Sequence, residues 1–211
     1  MSRKQISSNL QMKVRQYLRF IWQEELTQNA ELEESIMGKL SRSLKEELFL
    51  EANGSVLNKH SMFFANFSEN MLRTLMYQMK EIRFNPEDMI FKENIIDDCE
   101  IYFVVKGKVQ ISIDSIKRDD KRINLATLTK GSVFGELAFF TGQSRVASAQ
   151  SKDFSTMIYI RRDDFLDILA KFPEDYEKYC LMRDQMILDK NFNSINMSCY
   201  SCKQFDHLIK N

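Results

Sequence analysis

The chain has no excess charge of either sign: thirty Lys and Arg face thirty Asp and Glu over 211 residues. Nothing global therefore draws it to nucleic acid or to an anionic membrane. It has no apolar run approaching eighteen residues, and its start, Met1 to Asn9, lacks the apolar centre of a signal peptide, so the chain as given is expected to be soluble. Cysteine is scarce. Cys99 and Cys180 stand far from each other and from the pair Cys199 and Cys202, which makes no disulfide framework and suits a reducing cytosol. Histidine is scarcer, with only His60 and His207. There is no H-E-x-x-H, G-x-S-x-G or Walker loop, so a general base is missing and a protein that binds without turnover is expected. Internal repeats and low-complexity tracts are also absent.

What is present is a folding composition: 44% hydrophobic, with sixteen Phe and twelve Met. The length suits one sizeable domain with a smaller partner, or two small ones. Apolar residues at Leu10, Val14, Tyr17, Leu18, Ile21 and Trp22 follow helical spacing, and Leu32, Ile36, Met37 and Leu40 repeat it. Ser43 and Glu46 form a capping box for a third helix with Leu44, Leu48 and Phe49. Asn53-Gly54 reads as a breaker and Val56 to Met62 as a further short helix. Such a string cannot round off a core alone, so its stripes need partners. Ser68 caps a helix bearing Met71, Leu72, Leu75, Met76 and Met79.

From Glu81 the pattern becomes short, β-rich and punctuated, with Asn85 to Asp88 as a turn and Gly107 as a hairpin turn between Ile101–Lys106 and Val109–Asp114. Many short strands indicate a sandwich or barrel. A helix starts at Asp163 or Asp164, and Pro173 suits the first turn of another that runs from Glu174 to about Lys190.

The stretch Phe134 to Ser148, F-G-E-L-A-F-F-T-G-Q-S-R-V-A-S, places a glycine, a carboxylate and an arginine around an apolar turn. Gly135 lets a ligand approach the main chain. Glu136 opens a short turn, Leu137 to Phe140, whose first N–H groups suit an anion. Arg145 can return to the same point and hold a phosphate through paired, charge-assisted hydrogen bonds. A carboxylate beside a phosphate would be repelled, so Glu136 suits a neutral hydroxyl such as that of ribose. The alternative is a tight turn whose Glu and Arg pair on the surface.

These residues, F-G-E-L-A and R-V-A-S at their spacing, resemble the phosphate-binding cassette of the cyclic-nucleotide-binding domain family. The resemblance implies an α+β fold: an antiparallel, jelly-roll-like β-roll with flanking helices and a C-terminal lid helix. It implies that Glu136 takes the ribose 2′-hydroxyl while Arg145, with the Gly135 and Ala138 backbone, holds the cyclic phosphate. Phe134, Leu137 and Ala147 complete the cassette, and Ile113 and Leu128 supply an apolar wall under the base. Met182 and Met186, one turn apart on the lid helix, are the candidates for touching the base, although ordinary core contacts explain them as well. In cGMP-selective members Thr typically follows the cassette arginine. Here it is Val146, which offers no hydrogen bond, so cAMP is favoured over cGMP.

The N-terminal helices, with M-K-V-R-Q-Y-L-R-F and then L-E-E-S-I-M-G-K-L-S-R-S-L-K-E-E-L, resemble the C-linker of hyperpolarisation-activated and cyclic-nucleotide-gated channels. The implied organisation is a C-linker over 1–60, the nucleotide domain over 61–192 and a tail over 193–211. The implied setting is the cytoplasmic side of a membrane, in a homotetramer joined through the C-linker, with the membrane reached only through an upstream pore. A transcription regulator would need a helix-turn-helix after the lid helix. A kinase regulatory subunit would carry an inhibitor segment, and neither feature is visible. The remaining rival is a channel-type domain that keeps the fold without binding nucleotide and serves in assembly. In the tail, Cys199, Cys202 and His207 form C-x2-C-x4-H, three ligands where zinc takes four, so a zinc module is expected only if the chain continues beyond Asn211 with a further Cys.

Overall fold

A computed structural model describes residues 60–114 and 122–197 without a break and, of the first 59 residues, only isolated positions. The chain divides into two compact units, 1–48 and 49–211. In the first, Gln11, Met12, Val14, Arg15, Leu18, Leu44, Glu47 and Leu48 are helical. Lys39 is helical too, but Leu40, expected on the second helix, lies at a bend; the other residues expected to be helical between Leu10 and Phe49 lie outside the described residues, as do Cys199, Cys202 and His207.

In the second unit Gly54 is buried and helical rather than a breaker. The helix expected from Val56 to Met62 is instead interrupted at His60, whose ring packs 5.2 Å from that of Phe103. A new short helix, α1 (Ser61–Phe64), begins there, with the Phe63 amide donating to the His60 carbonyl at 3.1 Å. Helix α2 (Glu69–Met76) starts where the sequence places it. The Ser68 hydroxyl accepts from the Met71 amide at 3.4 Å, and Met71, Leu72, Leu75 and Met76 are buried.

Eight strands follow among the described residues: β1 (Lys80–Phe84), β2 (Met89–Phe91), β3 (Ile101–Lys106), β4 (Val109–Asp114), β5 (Arg122–Leu128), β6 (Val133–Phe134), β7 (Ser148–Ser151) and β8 (Ser155–Ile160). They form two four-stranded antiparallel sheets, ordered β1-β8-β3-β6 and β2-β7-β4-β5. Together with the flanking helices they make the α+β roll that the cassette resemblance implies. Phe91, Tyr102, Val104, Val109, Ile111, Phe134, Ala149 and Met157 fill the space the strands enclose.

Gly107 departs from expectation. It joins β3 to β4, but the two strands belong to different sheets, so it turns a corner rather than a hairpin. Strand β3 is already paired on both edges by β8 and β6, and β4 by β5 and β7, leaving neither with an edge for the other. The corner needs glycine: φ is +96°, and an added Cβ would fall 2.6 Å from the Ser155 Cα.

Helix α3 (Glu136–Thr141) is inserted between β6 and β7, and α4 (Arg162–Leu169) and α5 (Pro173–Leu188) follow β8. Helix α4 starts at Arg162, a residue before the expected acidic pair, while Pro173 opens α5 as predicted. The helices share a second core with one face of β3. In it Phe165 lies 4.8 Å from Phe139, 5.6 Å from Phe67 and 5.7 Å from Tyr179 between ring centroids. Fully burying each such ring contributes about 1.5–3 kcal/mol. Phe139 and Phe140 thus anchor α3, and with it the loop on either side, to α4 and α5.

Candidate functional site

The site is built at the N-terminal end of α3. Gly135 caps the helix with φ +85°, a conformation side chains resist. An added Cβ there would lie 2.7 Å from the Glu100 carbonyl oxygen and 2.8 Å from Arg145 Nη1. Glycine is required twice: once for the backbone angle, and once so that a guanidinium can sit against the main chain.

Arg145 is not on the surface. It is 2% exposed, with its Cζ 4.1 Å from the centre of the Phe91 ring. Nε donates to both Asp97 carboxylate oxygens at 3.0 Å, and Nη1 donates to the carbonyls of Glu100 at 2.9 Å and Gly135 at 3.3 Å. Nη2 lies 2.9 Å from Asp97 Oδ1 and 3.6 Å from Glu100 Oε2, yet neither is aligned to accept from it. Its backbone is tied as well: the Arg145 amide donates to the Ile95 carbonyl at 3.0 Å, and its carbonyl accepts from the Asn94 amide at 2.7 Å. The surface Glu–Arg pair considered from the sequence is therefore not what forms, since Arg145 is buried and its acidic partners are Asp97 and Glu100.

Glu136 is half-buried beside this cation. Burial pushes its carboxyl up to about 7, against the opposing pull of its own backbone amide and of the Arg145 charge. Burial and the neighbouring Glu100 carboxylate push the Tyr102 phenol up, and its hydroxyl donates to Glu100 Oε2 at 3.2 Å.

Of the other candidates, Phe134 stacks on Tyr102 at 5.2 Å between centroids, Leu137 and Ala138 are buried on α3, and Ala147 is half-buried against the roll's core. Val146 is 40% exposed, the one apolar member of the cassette that faces solvent to this degree. Ile113 and Leu128 both lie on the β4–β5 ladder but at opposite ends, opposite Ile123 and Val109 respectively. Four residues of strand separate those positions, about 13 Å. Met182 and Met186 are buried in the helical core, so contact with a ligand at the cassette requires α5 to leave this packing.

The partners of Arg145 were not singled out from the sequence. Asp97, Glu100 and Phe91 sit 48, 45 and 54 residues before it, a distance across which no local pattern operates. The only signal was the acidic cluster Asp97, Asp98 and Glu100 between two strands. Among the described residues no group of three or more His, Cys, Asp and Glu could hold a metal ion, and no helix is long and apolar enough to cross a membrane.

Comparison with known proteins agrees with the geometry. Residues 81–172 match the cyclic nucleotide-binding domain family. The human potassium/sodium hyperpolarization-activated cyclic nucleotide-gated channel 4 is 30% identical over 162 residues, 75% of this chain and 13% of the relative. The human cyclic nucleotide-gated channel alpha-3 is 24% identical over 196 residues, 87% of this chain and 27% of the relative. A cyclic nucleotide-gated channel of Caenorhabditis elegans is 25% identical over 197 residues, 90% of this chain and 25% of the relative. The chain spans between about an eighth and about a quarter of the length of these relatives.

Proposed function

Because the chain carries a cyclic nucleotide-binding domain of the family found in hyperpolarization-activated and cyclic nucleotide-gated channels, we propose that it senses a cyclic nucleotide and passes the binding event to a channel pore. The observation that carries this reading is the buried Arg145 guanidinium, held against the Gly135 main chain with Nη2 lacking an aligned acceptor. A cyclic phosphate is a monoanion whose two free oxygens such a nitrogen can grip by a charge-assisted bond. The Glu136 carboxylate accepts the ribose 2′-hydroxyl, and the exposed Val146 lies under the base.

The ligand is bound, not turned over. It favours the state in which α5 closes over the cassette, and it moves that equilibrium only by its differential affinity for the two states. Residues 1–60 serve as the C-linker and carry the shift toward a pore, within a tetramer on the cytoplasmic side of the membrane. The half-exposed Leu18, Leu44 and Leu48 supply apolar surface for such an assembly. A zinc module built on Cys199, Cys202 and His207 is assigned only to a chain continuing beyond Asn211.

Calorimetric titration with cAMP and cGMP tests the reading. Heat from wild type that is absent in Arg145→Ala supports it, and no heat from either nucleotide at millimolar concentration overturns it. Because Val146 offers no hydrogen bond to guanine, cAMP binds more tightly, and Val146→Thr shifts the ratio toward cGMP by roughly fivefold, the worth of one hydrogen bond. A second reading, a domain that keeps the fold and serves only in assembly, draws on one observation: Arg145 already has carboxylate partners.

A further inference from the structure

The arginine that the proposed function assigns to phosphate is already engaged by an acid of its own chain. We propose that Asp97 is an internal counter-ion that occupies Arg145 in the ligand-free protein, must be displaced by an incoming anion, and so sets the affinity of the site. The proposal rests on the reading of Arg145 as the phosphate ligand.

Both Asp97 carboxylate oxygens accept from Nε at 3.0 Å, and Oδ1 also lies 2.9 Å from Nη2, close enough for ion pairing but out of line for a hydrogen bond. Arg145 is buried while the Asp97 side chain is 28% exposed, so the acid is the solvent-side partner of the pair. One cation here faces the carboxyl groups of Asp97, Glu100 and Glu136. A phosphate adds a further negative charge, and like charges on one guanidinium repel within a few ångströms.

One carboxylate has to leave, and the contacts select which. Glu100 stands farther off, at 3.6 Å, and is also held by the Tyr102 hydroxyl. Asp97 lies in a segment without regular structure between β2 and β3, where Asn94 and Cys99 adopt left-handed φ of +61° and +49°. That segment is tied to the cassette through the backbones of Asn94 and Ile95, and Asp97 lies beyond both ties. Its side chain can therefore swing away, giving up the Cys99 amide that Oδ1 accepts at 2.8 Å, without breaking the backbone pairing that positions Arg145.

The test is calorimetric titration of the full chain with cAMP, comparing wild type, Asp97→Asn, Asp97→Ser and Arg145→Ala, with thermal unfolding to show that each is folded. Both replacements of Asp97 keep an oxygen for the Cys99 amide, which Asp97 Oδ1 accepts at 2.8 Å, so the local turn survives. Removing a close charge pair typically changes binding by at least roughly tenfold, and here both Asp97 variants gain that much affinity. Variants that match wild type or bind more weakly overturn it and make Asp97 a residue that positions the arginine. No heat from any folded protein overturns the nucleotide reading itself, and the counter-ion with it.

Discussion

The six-residue helix α3 has a left-handed glycine at each end and an arginine pressed against each glycine, yet the two ends do different work. At the first, Gly135 meets Arg145, which is buried among carboxylates and keeps a nitrogen without an aligned acceptor. At the second, Gly142 has φ +71°, and an added Cβ would lie 3.0 Å from Arg162 Cζ. Arg162 donates to the Tyr179 hydroxyl at 3.0 Å, which in turn donates to the Phe140 carbonyl at 2.9 Å. That chain of neutral acceptors ties α3 to α4 and α5. The same pairing of glycine and guanidinium thus sits among carboxylates at one end, where the proposed function places anion capture, and among neutral acceptors at the other, where it ties helices together.

The largest effect expected is at the first end. Arg145→Ala abolishes nucleotide binding in titration and, by leaving Asp97 and Glu100 without their cation, lowers unfolding stability by about 3–5 kcal/mol in urea. Retained binding would remove the functional difference between the two ends.

Next come the glycines. Gly135→Ala drives a Cβ into the Glu100 backbone carbonyl, which cannot yield, whereas Gly142→Ala meets only a flexible side chain. Both incur the cost of a left-handed backbone, about 1–2 kcal/mol. Gly135→Ala is expected to be the more damaging in denaturant titration, and equal losses would show that the carbonyl moves aside.

Tyr179→Phe breaks the neutral relay and is expected to cost about 1–3 kcal/mol of stability, because the Phe140 carbonyl loses its buried donor. A change in nucleotide affinity as large as that of Arg145→Ala would mean that the second end also takes part in capture.

The pH dependence is read as a slope and not as a single loss. The Glu136 carboxyl sits near 7 in the folded chain, above its ordinary 4.5, so between those values the folded protein holds a proton that the unfolded chain has released. Stability therefore falls as pH rises from about 4.5 through 7, and Glu136→Gln flattens that slope. Urea midpoints at several pH values across the window measure it; an identical slope in the variant would place the proton elsewhere.

Much of the roll was legible because its signals are local. Ser68 capping α2, Pro173 opening α5 and the β-rich run after Glu81 depend on neighbours within a few residues. The cassette was legible for the same reason, since Gly135, Glu136 and Arg145 lie within eleven positions. Gly107 misled because a glycine flanked by two apolar strands has one local signature whether the chain folds back or crosses to another sheet. Only the strands already seated on both edges of β3 and β4 distinguish the two outcomes.

By itself the sequence determined most of the strand segments, the starts of α2 and α5, and the chemistry available at Gly135, Glu136 and Arg145, since each follows from side-chain types a few bonds apart. Only the tertiary structure decided that Arg145 is buried and which acid meets it. That pairing is set by packing β2, β3 and the Asp97 segment against α3, and electrostatic energy in a dry site depends on distances through space rather than along the chain.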